Sequence, residues 1–170
     1  MKKTYLAKLA IVSFTVVAAF AFMGTAVQAT DGSVASTVSI AVPITVDGDS
    51  ALAFGVFTPP SSGDETWTVN ATTGNLSGGA SDGVDLFNDD HFRGVFTIGG
   101  ENDAIITYSV DITTNFGDAG TTLSALTVSP TSTNALSSSG SLTVGVGGTV
   151  TLTLDAANGS DALITMTANY

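Results

Sequence analysis

The sequence contains no cysteine and only one histidine, His91. The chain therefore has no disulfide to stabilise it and no thiol to act as a nucleophile. No GxSxG turn surrounds any serine, so the signature of a serine hydrolase is missing as well. We expect His91 to be a surface residue at the start of a strand. The protein is not expected to be an enzyme.

Basic residues are also scarce, since four lysines and arginines face fifteen acidic residues and the net charge is −11. Three of the four bases open the chain (Lys2, Lys3 and Lys8), ahead of an apolar run over 9–23 and the small-residue pattern Val27-Gln28-Ala29. This order is typical of a secretory signal peptide, and the apolar run is too short for a stable membrane span. We expect cleavage after Ala29, which divides the chain into a signal peptide at 1–29 and a single domain at 30–170.

Cleavage would leave Arg93 as the single base against fifteen acids, a charge of 1 − 15 = −14. Such a surface is repelled by nucleic acid and by anionic lipid headgroups. We therefore expect no nucleic-acid partner and no membrane insertion after cleavage. The expected location is the periplasm, the cell surface or an extracellular fibre. Arg93 itself is expected to pair with a nearby aspartate.

Alternating apolar residues dominate the last thirty positions and predict strands with one buried face. Gly147-Gly148 is interpreted as a break between two alternating runs, and Asn158-Gly159 as a turn. The final strand is predicted to run to the last residue with an inward face formed by Ala162, Ile164, Met166, Ala168 and Tyr170.

Strands are also predicted along the rest of the chain. The alternation of aliphatic residues over 34–46 predicts a long N-terminal strand, and Asp47-Gly48-Asp49 a turn after it. Further strands are predicted at 52–57, 66–69, 92–98, 104–112 and 123–128, with a long loop at 72–90 and a connection at 129–140. Short strands at this spacing predict an all-β, immunoglobulin-like antiparallel β-sandwich. A jelly roll is the alternative topology.

Two features could bind a ligand. The acid-rich loop offers oxygen ligands suited to Ca²⁺, although it lacks the spacing of an EF-hand, and a solvated loop is the alternative. Its candidate ligands are Asp82, Asp85, Asn88, Asp89 and Asp90. Trp67 could stack on a sugar, whereas a single tryptophan in a strand more often fills the core. No other cofactor is expected.

Three short segments carry a resemblance to a known family: LAFGVF at 52–57, GVFTIG at 94–99 and ITMTANY at 164–170. They resemble small secreted Gram-negative proteins with a domain of unknown function, an LAFG-x-F motif and a terminal tyrosine. That family is similar in turn to spore-coat-U-like proteins and archaic chaperone–usher pilus subunits. The resemblance implies an immunoglobulin-like sandwich and a structural role at the cell surface, with no catalytic residues. Many related pilins carry a disulfide, which this chain lacks.

These observations favour a subunit of a surface fibre that polymerises by exchanging its N-terminal strand, with a periplasmic chaperone and an outer-membrane usher as partners. The joint is predicted to be Val38, Ile40, Val42, Ile44 and Val46, buried in the subunit's own groove or in a neighbour's. Five such side chains contribute about 7–15 kcal/mol, so a domain without them would be marginal. The predicted chaperone edge is Ile164, Met166, Ala168 and Tyr170. A monomeric carbohydrate- or calcium-binding module is the alternative.

Overall fold

The computed structural model describes residues 37–79, 86–157 and 161–170. Contacts between residues divide the chain into two units, Met1–Ser39 and Ile40–Tyr170, and every described strand lies in the second. Of the first unit only residues 37–39 are described, and they have no regular secondary structure. The predicted signal peptide and its cleavage site lie outside the described residues.

Strands make up the regular structure of the described residues, which contain no helix. None of them therefore forms a helix long and apolar enough to cross a membrane. The eleven strands are β1 (Thr45–Ser50), β2 (Ala53–Phe57), β3 (Glu65–Val69), β4 (Leu76–Gly78), β5 (Leu86–Phe92), β6 (Gly94–Gly99), β7 (Ile105–Thr114), β8 (Thr121–Ser129), β9 (Thr133–Ala135), β10 (Ser141–Leu152) and β11 (Leu163–Asn169).

All strand pairs are antiparallel, and they form three sheets. The largest has six strands in the order β1-β6-β10-β3-β4, with β8 paired to the other edge of β10. A second sheet has the order β11-β7-β9, and β2 pairs with β5 in a third. The long strand β10 is thus paired along both edges, and it organises the largest sheet.

The six-stranded sheet packs its inner face against the three-stranded sheet. Ile98 of β6 and Val144 of β10 are fully buried beside Ile106 of β7 and Met166 of β11. A second cluster joins Phe54 of β2 to side chains of β3, β8 and β10 (Val69, Leu123, Val150 and Leu152). Because apolar faces of separate sheets enclose both clusters, the predicted all-β antiparallel sandwich is confirmed.

The prediction of an N-terminal strand over 34–46 is wrong for 37–44 and right for 45–46. Residues 37–44 have no regular secondary structure, and β1 begins only at Thr45. The predicted turn at Asp47-Gly48-Asp49 lies inside β1, where Asp47 pairs with Thr97. The hydroxyl of Thr97 also donates to Asp49 Oδ2 over 2.6 Å, so polar contacts hold a segment that its composition marks as a turn.

The predicted break at Gly147-Gly148 is wrong too, because β10 continues through both residues. A Cβ atom on Gly147 would lie 2.2 Å from the carbonyl oxygen of Val69 and 2.5 Å from the amide nitrogen of Ala71. Glycine is therefore required here by a crossing backbone and not by a reversal of direction. The strand ends at Leu152, and Leu154, which continues the alternation of apolar residues in the sequence, is exposed.

Other strand boundaries differ from the prediction in the middle of the chain. The predicted loop at 72–90 contains β4 and the first five residues of β5. Arg93 separates β5 from β6, where a single strand was predicted, and the connection at 129–140 contains β9. The predicted strands that became β2, β3, β7 and β8 are confirmed within a few residues at each end.

Candidate functional site

The segment before β1 carries exposed aliphatic side chains at every second position. Val38 is 89% exposed in the first unit, and Ile40 and Val42 are 87% and 49% exposed in the second. Ile44 and Val46, the last two residues of the predicted joint, are half-buried against the sandwich core. Of the two predicted arrangements, burial of the joint in the subunit's own groove is therefore not found for its first three residues, and burial in a neighbour's groove stays a prediction.

Two hydrogen bonds hold Val42 at the point where this segment meets the sandwich, and a third joins their two partners. The amide of Val42 donates to Glu101 Oε2 over 3.2 Å, and its carbonyl accepts a hydrogen bond from the hydroxyl of Tyr170. The same hydroxyl accepts a hydrogen bond from the amide of Glu101 over 2.7 Å. We call this three-residue network the latch. Both backbone polar groups of Val42 are satisfied by it, although the residue belongs to no strand.

Gly100 makes room for the latch just after β6, and Gly99 makes room for the start of β1. A Cβ atom on Gly100 would lie 2.7 Å from the Tyr170 hydroxyl and 2.9 Å from Cδ1 of Leu136. A Cβ atom on Gly99 would lie 2.7 Å from Oγ1 of Thr45, the first residue of β1. The sequence predicts only a connection here, because no local pattern shows that Tyr170 packs against Gly100.

Strand β11 lies at the edge of its sheet. It pairs with β7 along one edge, and no described strand pairs with the other. Met166 is buried in the core, and Ile164 and Ala168 are half-buried, so the predicted inward face is present. Tyr170 departs from the prediction, because β11 ends at Asn169 and the tyrosine is 52% exposed with its hydroxyl in the latch.

A cleft of about 780 Å³ opens beside β2, within the usual size range of a binding pocket. Its apolar wall includes the core residues Phe54, Val150 and Leu152. The second edge of β2 has no partner strand in the described ranges. Three carboxylates (Asp90, Asp118 and Asp161) line the same cleft, and no basic residue is among its described lining residues. This combination suits an uncharged or cationic extended segment with apolar side chains.

Asp118 organises one end of that cleft. Its Oδ2 accepts hydrogen bonds from the amide of Ala157 over 3.1 Å and from the hydroxyl of Thr121 over 2.8 Å. The amide of Ala157, followed by the hydroxyl of Thr121, lowers the pKa of this carboxyl because both donors favour its charged form. Asp118 thereby ties the residues after β10 to the beginning of β8.

The acid-rich loop is described only in part. Asp82 and Asp85 lie outside the described residues, whereas Asn88, Asp89 and Asp90 lie on β5. His91 Nδ1 is 2.7 Å from Asp89 Oδ1, and the amide of Asn88 donates to Asp90 Oδ2 over 2.6 Å. The described stretches hold no group of three or more His, Asp or Glu side chains that could bind a metal ion.

Trp67 and Arg93 make contacts within the sandwich. The Trp67 ring is half-buried, with its centroid 4.9 Å from that of Phe57, as expected for core filling. Arg93 donates to the carbonyl oxygens of Ala71 and Thr72. It forms no ion pair with a described carboxylate, so the predicted aspartate partner is not found among those residues.

Comparison with known proteins yields one family. No curated protein and no solved structure matches the chain. Residues 44–170 match the family described as Domain of unknown function (DUF4402). The match begins at Ile44, after the exposed residues Val38, Ile40 and Val42, and it includes Glu101 and Tyr170 of the latch. Because it covers about three quarters of the sequence, the chain belongs to this family of unknown function.

Proposed function

We propose that the protein is an exported structural subunit of a surface fibre that assembles by β-strand complementation. The observation that supports this role most is the exposed alternation of Val38, Ile40 and Val42, which precede β1 and pair with no described strand. An extended segment with aliphatic residues on one face needs a sheet edge and apolar pockets to become buried. A second copy of the chain offers both.

The acceptor that we propose is the cleft beside β2 of the next subunit. Its wall is formed by apolar core side chains, and β2 supplies an unpaired edge about 17 Å long at 3.3 Å per residue. Residues 37–43 carry no charge, so the carboxylates of Asp90, Asp118 and Asp161 do not repel them. A contact between one copy's segment and the next copy's cleft is head-to-tail and propagates as a fibre.

The free energy gained by burying the donor side chains can be compared with the cost of association. Full burial of Val38 and Ile40 contributes about 3–6 kcal/mol together, whereas association costs roughly 4–15 kcal/mol in lost freedom. The two side chains alone therefore do not give a durable joint. A ladder of backbone hydrogen bonds along β2 has to add to them, which favours strand addition over simple apolar docking.

Export and assembly would use the two ends of the chain. A signal peptide cleaved after Ala29 would deliver the domain to the periplasm. There a chaperone would pair with the free edge of β11 before an usher passes the subunit to the cell surface. The resemblance to spore-coat-U-like proteins and archaic pilus subunits supports this route. We propose no catalytic activity and no cofactor for the domain.

Deletion of residues 30–41 tests the proposal. This deletion keeps Val42 and β1, and it removes only exposed residues among those that the structure describes. We expect a folded monomer that forms no fibre and binds a synthetic peptide of residues 30–42. Fibres from the deleted protein, or a folded deleted protein that ignores the peptide, would contradict strand complementation and favour the monomeric carbohydrate- or calcium-binding alternative.

A further inference from the structure

The latch joins the two segments to which the proposed function gives separate roles. Tyr170 follows the last residue of β11, the proposed chaperone edge, and its hydroxyl binds the carbonyl oxygen of Val42, at the base of the proposed donor segment. Glu101 closes the network from the turn after β6, where its amide and carboxylate contact Tyr170 and Val42 respectively.

We infer that Tyr170 is a positioning residue for strand complementation, because its hydroxyl fixes the residue at which the donor segment leaves the sandwich. While the latch is closed, the free segment ends at Val42. When Tyr170 is withdrawn, Val42 keeps only the exposed hydrogen bond from its amide to Glu101, and the next residue held by packing is Ile44, which lies against the core. The free segment then gains two residues, or about 7 Å of reach at 3.3 Å per residue.

A partner that pairs with β11 acts on the same tyrosine. Strand addition along the free edge of β11 places a new backbone beside residues 163–169, directly before Tyr170. Displacement of Tyr170 by such a partner breaks its bond to Val42 and removes the acceptor of the Glu101 amide. Occupation of the edge of β11 thereby lengthens the donor segment, whose base Val42 contacts Tyr170. The role of the segment before Val42 as a donor rests on the proposed function, whereas the latch is a property of the single chain.

Backbone order parameters of residues 40–46 in the monomer test the latch. In the wild type we expect order parameters of about 0.85 from Val42 onward, as in rigid backbone. The substitution Tyr170→Phe removes the hydroxyl and keeps the ring. We expect it to lower the Val42 value below about 0.6 while Ile44 stays ordered. Tyr108→Phe is the matched control, because that hydroxyl donates to the carbonyls of Pro130 and Thr131 and accepts from the Asn134 amide, all of which lie outside the latch.

A second pair of variants keeps the test decisive if Tyr170→Phe folds poorly. Glu101→Gln retains an oxygen that accepts the Val42 amide and should leave Val42 ordered, whereas Glu101→Ala removes the acceptor and should release it. Unchanged order at Val42 in both Tyr170→Phe and Glu101→Ala would overturn the latch, and so would equal loss in Tyr108→Phe. Because the measurement uses the monomer, its result does not depend on whether the protein forms fibres.

Discussion

The hydroxyl of Tyr170 donates a hydrogen bond to the carbonyl oxygen of Val42, 128 positions earlier in the sequence. The bond closes the sandwich where its first described segment and its last residue meet. It also separates two kinds of apolar residue in one alternating run. Ile40 is exposed on one side of Val42, and Ile44 packs against the core on the other. The bond thus marks the boundary between the segment proposed to leave the domain and the domain itself.

Gly147→Ala should destabilise the domain strongly. A Cβ atom there would lie 2.2 Å from the Val69 carbonyl oxygen, and a crossing backbone cannot move aside as a flexible side chain can. We expect a loss of about 3 kcal/mol or more in the free energy of unfolding, measured by urea denaturation. Gly48→Ala is the control, because its nearest neighbour is Phe96 Cε1 at 3.6 Å, an ordinary contact. Equal stability of the two variants would show that β10 does not cross Val69 this closely.

The sequence predicts a strand correctly where another strand of the same chain buries its alternating apolar residues. Alternation in β7 and β11 predicts strands correctly, because neighbouring strands satisfy it within the chain. The same alternation at Val38, Ile40 and Val42 predicts burial that the single chain does not provide. Apolar residues at every second position indicate that a segment can pair with a sheet edge. They do not indicate which molecule supplies that edge.

Gly147 and Tyr170 have roles that depend on contacts with residues distant in the sequence. Gly147 resembles a turn signal in the sequence, yet it serves a close backbone crossing, and only the position of Val69 distinguishes the two roles. Tyr170 fits the inward face of β11 by its spacing. Its hydroxyl instead bonds to Val42 and Glu101, from which it is separated by 128 and 69 positions. Local patterns carry no information about such distant contacts.

Low pH should weaken the hydrogen bonds that the Asp118 carboxylate accepts from Ala157 and Thr121. Its pKa is lowered in the folded state, so its contribution to stability is present above the unfolded value of 3.8 and is lost as the pH falls through the folded pKa. Asp118→Asn should therefore reduce stability at neutral pH and flatten the loss of stability below about pH 4. Thr121→Val removes one donor and should give an intermediate slope. Parallel pH profiles of unfolding for wild type and Asp118→Asn would contradict this role.

Engineered cysteines can identify the acceptor, because the natural sequence contains no cysteine to interfere. We expect that oxidised fibres of a variant with Ile40→Cys and Val56→Cys contain a disulfide between these positions of adjacent subunits. Val56 lies on β2, lines the cleft and is exposed, so a strand paired there brings the two Cα atoms within about 4.4–6.8 Å. The control combines Ile40→Cys with Leu163→Cys, which lies on the edge strand β11. Cross-linking only in the control would move the acceptor from β2 to β11.

The central claim is that one face of the donor segment, formed by Val38 and Ile40, is buried in a neighbouring subunit. Charge placed on this face or on the opposite face tests the claim most directly. Successive residues of an extended strand point to opposite faces, so Val38 and Ile40 would enter the neighbour's cleft while Thr37 and Ser39 face away. Two double variants therefore add the same charge to opposite faces: Val38→Asp with Ile40→Asp, and Thr37→Asp with Ser39→Asp. Burial of an unpaired carboxylate costs several kcal/mol, so only the first pair should block assembly.

The decisive measurement is sedimentation and electron microscopy of the three purified proteins after prolonged incubation at equal concentration. The account predicts fibres from the wild type and from Thr37→Asp/Ser39→Asp, and monomers alone from Val38→Asp/Ile40→Asp. A wild type that stays monomeric, or two variants that assemble equally well or equally poorly, would contradict it.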